Sequence, residues 1–139
     1  MNIDQIKADL IRDERMVLHA YEDSRGYLTI GCGRLIDKRL GGGITEPEAH
    51  FLLENDIVRC MAELDGLWPW WRQMSDGRQR ALCNMIFNMG APRLVGFRNM
   101  IAALRDGEYE KAAHEAFQSN WSGQVGQRAN RICKLISEG

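Results

Sequence analysis

The sequence predicts an α+β fold, mainly α-helical, with one small β-sheet near the N-terminus. Apolar residues recur at helical spacing through most of the chain, strand formers cluster only between Val17 and Cys32, and the segment boundaries carry helix caps. With 139 residues, the chain is long enough to bury a core without metals or disulfides. Its 45% hydrophobic and 27% charged residues are those of an ordinary globular protein.

Ile3, Ile6, Leu10 and Ile11 predict an opening amphipathic helix that ends near Glu14 or Arg15. Asp23-Ser-Arg-Gly26 is a turn cluster between two short runs, which reads as a hairpin. Gly31 and Gly33 bracket Cys32, and Gly41-Gly-Gly43 makes a loop before Ile44. Thr45 with Glu48, and Pro47 in the first turn, form a capping-box signature for a long helix. Ala49, Leu52, Leu53, Ile57, Met61 and Leu64 supply its stripe, and it should stop at Asp65-Gly66.

Ser75 or Asp76 caps the next helix, which reaches Met89 and ends at Gly90. Its residues Ala81, Leu82, Met85, Ile86 and Met89 suggest a buried central element. Shorter helices follow at about Arg98–Arg105, Glu108–Ser119 and Val125–Ser137, separated by Gly107 and Gly123. Trp68, Trp70 and Trp71 could stack on sugars, but such clusters usually fill cores, and packing is the favoured reading.

Cys32, Cys60, Cys83 and Cys133 form no C-x-x-C pair and read as core thiols. His19, His50 and His114 lie far apart. No metal site and no cofactor are therefore expected. Net charge is only −1, but residues 1–71 hold 8 basic and 13 acidic groups while residues 72–139 hold 10 and 6. That asymmetry is compatible with a positive C-terminal face for an anionic polymer, or with chance surface variation. Charges at Asp4, Lys7 and Asp9 interrupt any signal-peptide core, and no run is apolar enough for a membrane span.

Cleavage of a glycosidic bond typically needs two carboxyl groups, one protonated and one ionised. Glu14 closes the first helix, where the negative end of the helix dipole disfavours a second negative charge, as a general acid requires. Asp23 opens the hairpin turn and Thr29 follows six residues later, so both could lean into one cleft. Each also has a plainer reading: a surface glutamate, a turn-capping aspartate and a β-branched strand residue.

The run Glu14-x6-Tyr21-x-Asp23-x2-Gly26-Tyr27-x-Thr29-Ile30-Gly31-x-Gly33 closely resembles the catalytic signature of the phage-type lysozymes, glycoside hydrolase family 24. Ile44-Thr45, Glu48-Ala49, Asp56, Arg80-Ala-Leu, Asn84-Met85, Phe87, Met89-Gly90, Gly96-Phe97, Ala112-Ala113, Trp121 and Arg128-Ala129 follow the same family in order. The resemblance implies a two-lobed lysozyme-like domain over residues 1–139. Its N-terminal lobe would span about 12–45 and its connecting helix about 46–64, with a helical lobe of about 67–139 plus the first helix and a cleft between the lobes.

The resemblance further implies a peptidoglycan hydrolase that cuts the β-1,4 bond between N-acetylmuramic acid and N-acetylglucosamine with inversion. Glu14 would protonate the leaving oxygen, and Asp23 and Thr29 would bind the attacking water. Leu35, Phe87, Asn88 and Gln124 would line the cleft, and Arg128 would pair with Glu14, which pulls against the dipole effect. The implied partners are peptidoglycan glycan strands, and a holin for release from the host bacterial cytoplasm. No nucleic acid or membrane insertion is expected, and the chain is expected to be a monomer. The alternatives are a lytic transglycosylase and a catalytically silent wall-binding module.

Three departures from the family stand out. Arg34 replaces the usual His after the second glycine, so an Arg34–Asp56 ion pair is expected. The loop from Leu35 to Ile44 is shorter than in T-even members. Met100 and Glu115 replace small polar or amide cleft residues, which bears on saccharide positioning.

Overall fold

Helix α1 (Ile3–Glu14) begins at Asn2, whose side-chain oxygen accepts the Gln5 N–H at 3.1 Å. The computed structural model describes every residue, Met1–Gly139, and divides into two compact units, Met1–Phe51 and Leu52–Gly139.

In the first unit, α1 leads into a three-stranded antiparallel sheet of β1 (Val17–Glu22), β2 (Leu28–Gly31) and β3 (Arg34–Leu35), in that order. The hairpin turn expected at Asp23–Gly26 is present: Asp23 N–H donates to Tyr27 O at 2.9 Å and Gly26 N–H to Asp23 O at 3.0 Å. Register pairs Tyr21 with Thr29 and Thr29 with Leu35, and a bulge interrupts β1 between Val17 and Tyr21. The apolar stripe of α1 buries no residue.

Helix α2 (Glu46–Leu67) carries the boundary between the units. The capping box forms as its residues predict: Glu48 accepts the Thr45 N–H at 2.8 Å, and Thr45 Oγ1 accepts the Glu48 N–H at 3.4 Å. Arg34 is held within this unit by Glu48, through Nη2 at 2.7 Å and Nη1 at 3.1 Å. This corrects the expected partner, since Asp56 pairs instead with Arg59. Eight residues separate Glu48 from Asp56 on one helix, a rise of about 12 Å. The capping box fixes its carboxylate where β3 delivers the guanidinium.

The second unit is helical: α3 (Asp76–Met89), α4 (Ala91–Val95), α5 (Arg98–Arg105), α6 (Tyr109–Phe117), α7 (Asn120–Val125) and α8 (Gln127–Glu138). Its core gathers Leu64, Trp71, Leu82, Met85, Leu94 and Ile136, all nearly or fully buried. Trp71 donates its indole N–H to Asp65 at 2.7 Å, and Trp68 and Trp70 pack against the same core, so the tryptophans fill space. Arg78 ties three helices together. It donates to Ile136 O and Ser137 O at the end of α8 and stacks over the Tyr109 ring.

Helix α2 runs through the expected stop at Asp65-Gly66 to Leu67, and one further boundary and one thiol also differ from the sequence reading. Helix α7 runs through Gly123, and the break falls at Gly126, whose φ of 55° lies in the region glycine favours. The thiols of Cys60, Cys83 and Cys133 are pushed up by burial, whereas Cys32 is exposed in the β2–β3 turn and is not a core thiol.

The Thr45 N–H, the Arg34 guanidinium and the Thr45 hydroxyl hold Glu48 at about 2, against an ordinary 4.5. A depressed folded-state value stabilises the fold fully above the unfolded value and loses that effect as pH falls through the folded one. Glu48→Gln is expected to lower the thermal unfolding midpoint at neutral pH, with the deficit shrinking as pH drops from 4.5 towards 2. A deficit of equal size at both ends would remove the charge as its cause.

Candidate active site

Three of the expected site residues converge in the first unit through backbone geometry. Tyr21 pairs with Thr29, and Asp23 with Tyr27 through the turn hydrogen bond, so Asp23 and Thr29 share one sheet face as diagonal neighbours. Diagonal Cβ atoms on such a face lie roughly 7 Å apart. Leu35 pairs with Thr29 across β2–β3 and is half-buried on that same face.

Glu14 is delivered by the end of α1. Helix α1 ends on it because Arg15 adopts φ 65° and ψ 167°, a conformation that costs a non-glycine residue about 1–3 kcal/mol. Its carboxylate lies against the β2–β3 turn: a Cβ placed on Gly33 would sit 3.2 Å from Glu14 Oε2. Gly33 also has φ +72°, so glycine answers both the backbone and the close approach.

Asp23 Oδ1 accepts two backbone N–H groups, from Arg25 at 2.8 Å and Tyr27 at 2.9 Å, while Oδ2 takes no hydrogen bond from the chain. The Tyr27 N–H is the main cause that holds its carboxyl below the usual carboxylate range. Thr29 is 4% exposed, and its hydroxyl donates to Tyr27 O at 3.1 Å, which leaves the oxygen's lone pairs to accept. The arrangement offers an ionised carboxylate oxygen and a hydroxyl oxygen, both as acceptors, on the face that the register assigns to them.

Sequence reading missed the support beneath this turn. Asp37 is buried, accepts the Leu28 N–H and pairs with Arg39, which in turn donates to Gly26 O. The signal available was an Asp-x-Arg spacing just after β3, with Asp37 capping a 3-10 turn at Lys38–Leu40.

The remaining expected residues belong to the second unit. Phe87 and Arg128 line one recess of about 420 Å³ with Leu53, Ile57 and Asn84. Arg128, expected beside Glu14, is held within its own unit by Asn84, through Nε on Oδ1 at 2.8 Å and Nη2 on the carbonyl at 3.3 Å. Asn88 accepts the Trp121 indole N–H at 2.9 Å, and Gln124 accepts from Arg93 at 3.2 Å. Neither lines that recess. Met100 is 1% exposed and serves the core, while Glu115 accepts from Asn99 at 3.3 Å.

The family model described as phage lysozyme matches residues 12–134. The chain belongs to the phage lysozyme family. It is a glycoside hydrolase of the lysozyme type, a peptidoglycan hydrolase. It is 33% identical to the pre-baseplate central spike protein Gp5 of Enterobacteria phage T4 over 94% of this chain, and spans 27% of that larger protein. It is 26% identical to probable T4-type lysozyme 1 of Dictyostelium discoideum, over 99% of this chain and 96% of the relative. It is 27% identical to an endolysin of Acyrthosiphon pisum secondary endosymbiont phage 1, over 80% of this chain and 73% of the relative. No helix of this lysozyme is long and apolar enough to cross a membrane.

Gly31 and Gly33 allow a paired test of the Glu14 contact. Both have positive φ, but a Cβ on Gly31 meets nothing within 4 Å. Gly31→Ala and Gly33→Ala should each lose about 1 kcal/mol in urea unfolding. Hydrolysis of peptidoglycan should fall further in Gly33→Ala, and equal rates in the two variants would show that the contact with Glu14 is immaterial.

Proposed function

We propose that this lysozyme is an N-acetylmuramidase that hydrolyses the β-1,4 bond between N-acetylmuramic acid and N-acetylglucosamine with inversion. The observation that carries the reading is the meeting of Glu14 with the Gly33 turn on a sheet whose one face bears Asp23 and Thr29.

Glu14 donates its proton to the glycosidic oxygen as the bond to the anomeric carbon breaks. A water gives one hydrogen bond to Asp23 Oδ2 and the other to Thr29 Oγ1. With both hydrogens held, its lone pair points at the anomeric carbon from the face opposite the leaving oxygen. As the new C–O bond forms, Asp23 takes the proton. The hydrogen bonds on Asp23 Oδ1 keep that group ionised beforehand. The single carboxylate of a lytic transglycosylase has no need of such a pair of acceptors.

In this reading the two units are the lobes of one lysozyme-like domain, with α2 as its connecting helix. Leu35 contacts the sugar chain from the first unit, and Phe87, Asn88, Gln124 and Arg128 contact it from the second. The chain acts as a monomer, stays in the host bacterial cytoplasm until a holin opens the inner membrane, and then reaches the cell wall.

Glu14→Gln should reduce lysis of outer-membrane-stripped Gram-negative cells by about 10²-fold or more, the scale of general acid catalysis. Equal lysis by variant and wild type would remove Glu14 from its role. Mass spectrometry of digested peptidoglycan should show reducing ends. Anhydro sugars would point to a transglycosylase, and no cleavage by either protein would point to a binding module.

A further inference from the structure

We propose that Asp37 and Arg39 are positioning residues for this reaction, a clamp that holds Tyr27 and through it both water-binding groups; the proposal rests on the roles given above to Asp23 and Thr29. Tyr27 is the hub. Its N–H donates to Asp23 Oδ1 at 2.9 Å, and its carbonyl accepts both the Asp23 N–H at 2.9 Å and the Thr29 hydroxyl at 3.1 Å. Any shift of that one residue moves the carboxylate and the hydroxyl together.

Three contacts fix Tyr27 and its neighbours. Arg39 Nη2 donates to Gly26 O at 2.8 Å, the Arg39 guanidinium stacks 5.1 Å from the Tyr27 ring centroid, and Asp37 Oδ2 accepts the Leu28 N–H at 3.0 Å. The clamp closes on itself, because Asp37 also accepts Arg39 Nε and the Arg39 N–H at 2.9 Å and Arg39 Nη2 at 2.7 Å. A carboxylate has about four acceptor sites. Those of Asp37 are filled by the chain, and its side chain is 4% exposed, so it acts through Tyr27 and not on the substrate.

The fork geometry of Arg39 is what the clamp requires. One guanidinium binds Asp37 through two nitrogens and still reaches Gly26 O, thirteen residues away in the chain. A lysine keeps the charge next to Asp37 but has a single nitrogen with no planar fork. Displacement of reacting groups by about 1 Å costs on the order of 10²-fold in rate.

The test compares Arg39→Lys, Asp23→Asn and the double variant on soluble peptidoglycan fragments, with circular dichroism and thermal unfolding to establish that each is folded. Arg39→Lys should lower kcat by about tenfold or more while KM stays within about twofold. In the Asp23→Asn background the same change should cost less than in wild type, because the aspartate no longer contributes and only Thr29 is left for the clamp to align. Wild-type kcat in folded Arg39→Lys would overturn the proposal, and so would an equal loss in both backgrounds. If Asp23→Asn itself keeps wild-type kcat, the assignment of Asp23 falls, and the clamp falls with it. Should Arg39→Lys not fold, Arg39→Gln and Asp37→Asn are read by the same cycle.

Discussion

The first fifty-one residues are organised around a buried carboxylate held by an exposed arginine, not around a hydrophobic core. The two side chains buried there are Thr29 and Asp37, and both are polar. A buried carboxylate without partners would cost several kcal/mol, so its position is tolerable only where donors surround it. Asp37 has them in Leu28 and Arg39, and the guanidinium beside it holds its carboxyl far below the usual range. The same unit uses a second carboxylate in the same way, Glu48 between Thr45 and Arg34. Directional hydrogen bonds therefore set this unit's geometry, whereas the second unit relies on apolar packing from Cys60 to Ile136. A site that must place a carboxylate and a hydroxyl to within a fraction of an ångström gains from the directional arrangement, because hydrogen bonds fix angles as well as distances.

That contrast explains which parts of the molecule were legible in its residues. Capping signals act over three or four neighbours, so α2 and α3 could be read from Thr45, Glu48, Ser75 and Gly90 alone. The hairpin was equally local, since Asp23 and Gly26 carry the turn between them. Illegibility began where a choice depended on residues distant in sequence. Gly123 and Gly126 are equally good helix breakers in isolation, and only the folded chain shows the positive φ at the second. Short α4 left no periodicity to detect, being five residues with a proline in its first turn. Arg34 had several acids as formal partners, and only the folded capping box puts Glu48 within its reach.

The site was legible for a different reason. Composition and spacing alone gave Glu14, Asp23 and Thr29 ordinary alternative roles, and the resemblance to phage lysozymes singled them out. The residues that support them, Asp37 and Arg39, carry no comparable signature. Their role appears only when β3 and the following 3-10 turn fold back onto Gly26 and Leu28.

The geometry of Asp23 is compatible with both readings of its residue type, the turn cap and the proposed base. A turn-capping aspartate and a proposed catalytic base are usually rival explanations, yet here the carboxylate divides the work between its oxygens. Oδ1 accepts the Arg25 and Tyr27 N–H groups and closes the turn, and Oδ2 is left without a partner from the chain. The structural bonds favour the charged form and restrict rotation about the side chain, so the second oxygen is both ionised and aimed. A freely rotating surface aspartate would have neither property. The cap is thus a means by which an exposed turn can present a fixed anionic acceptor without burying it.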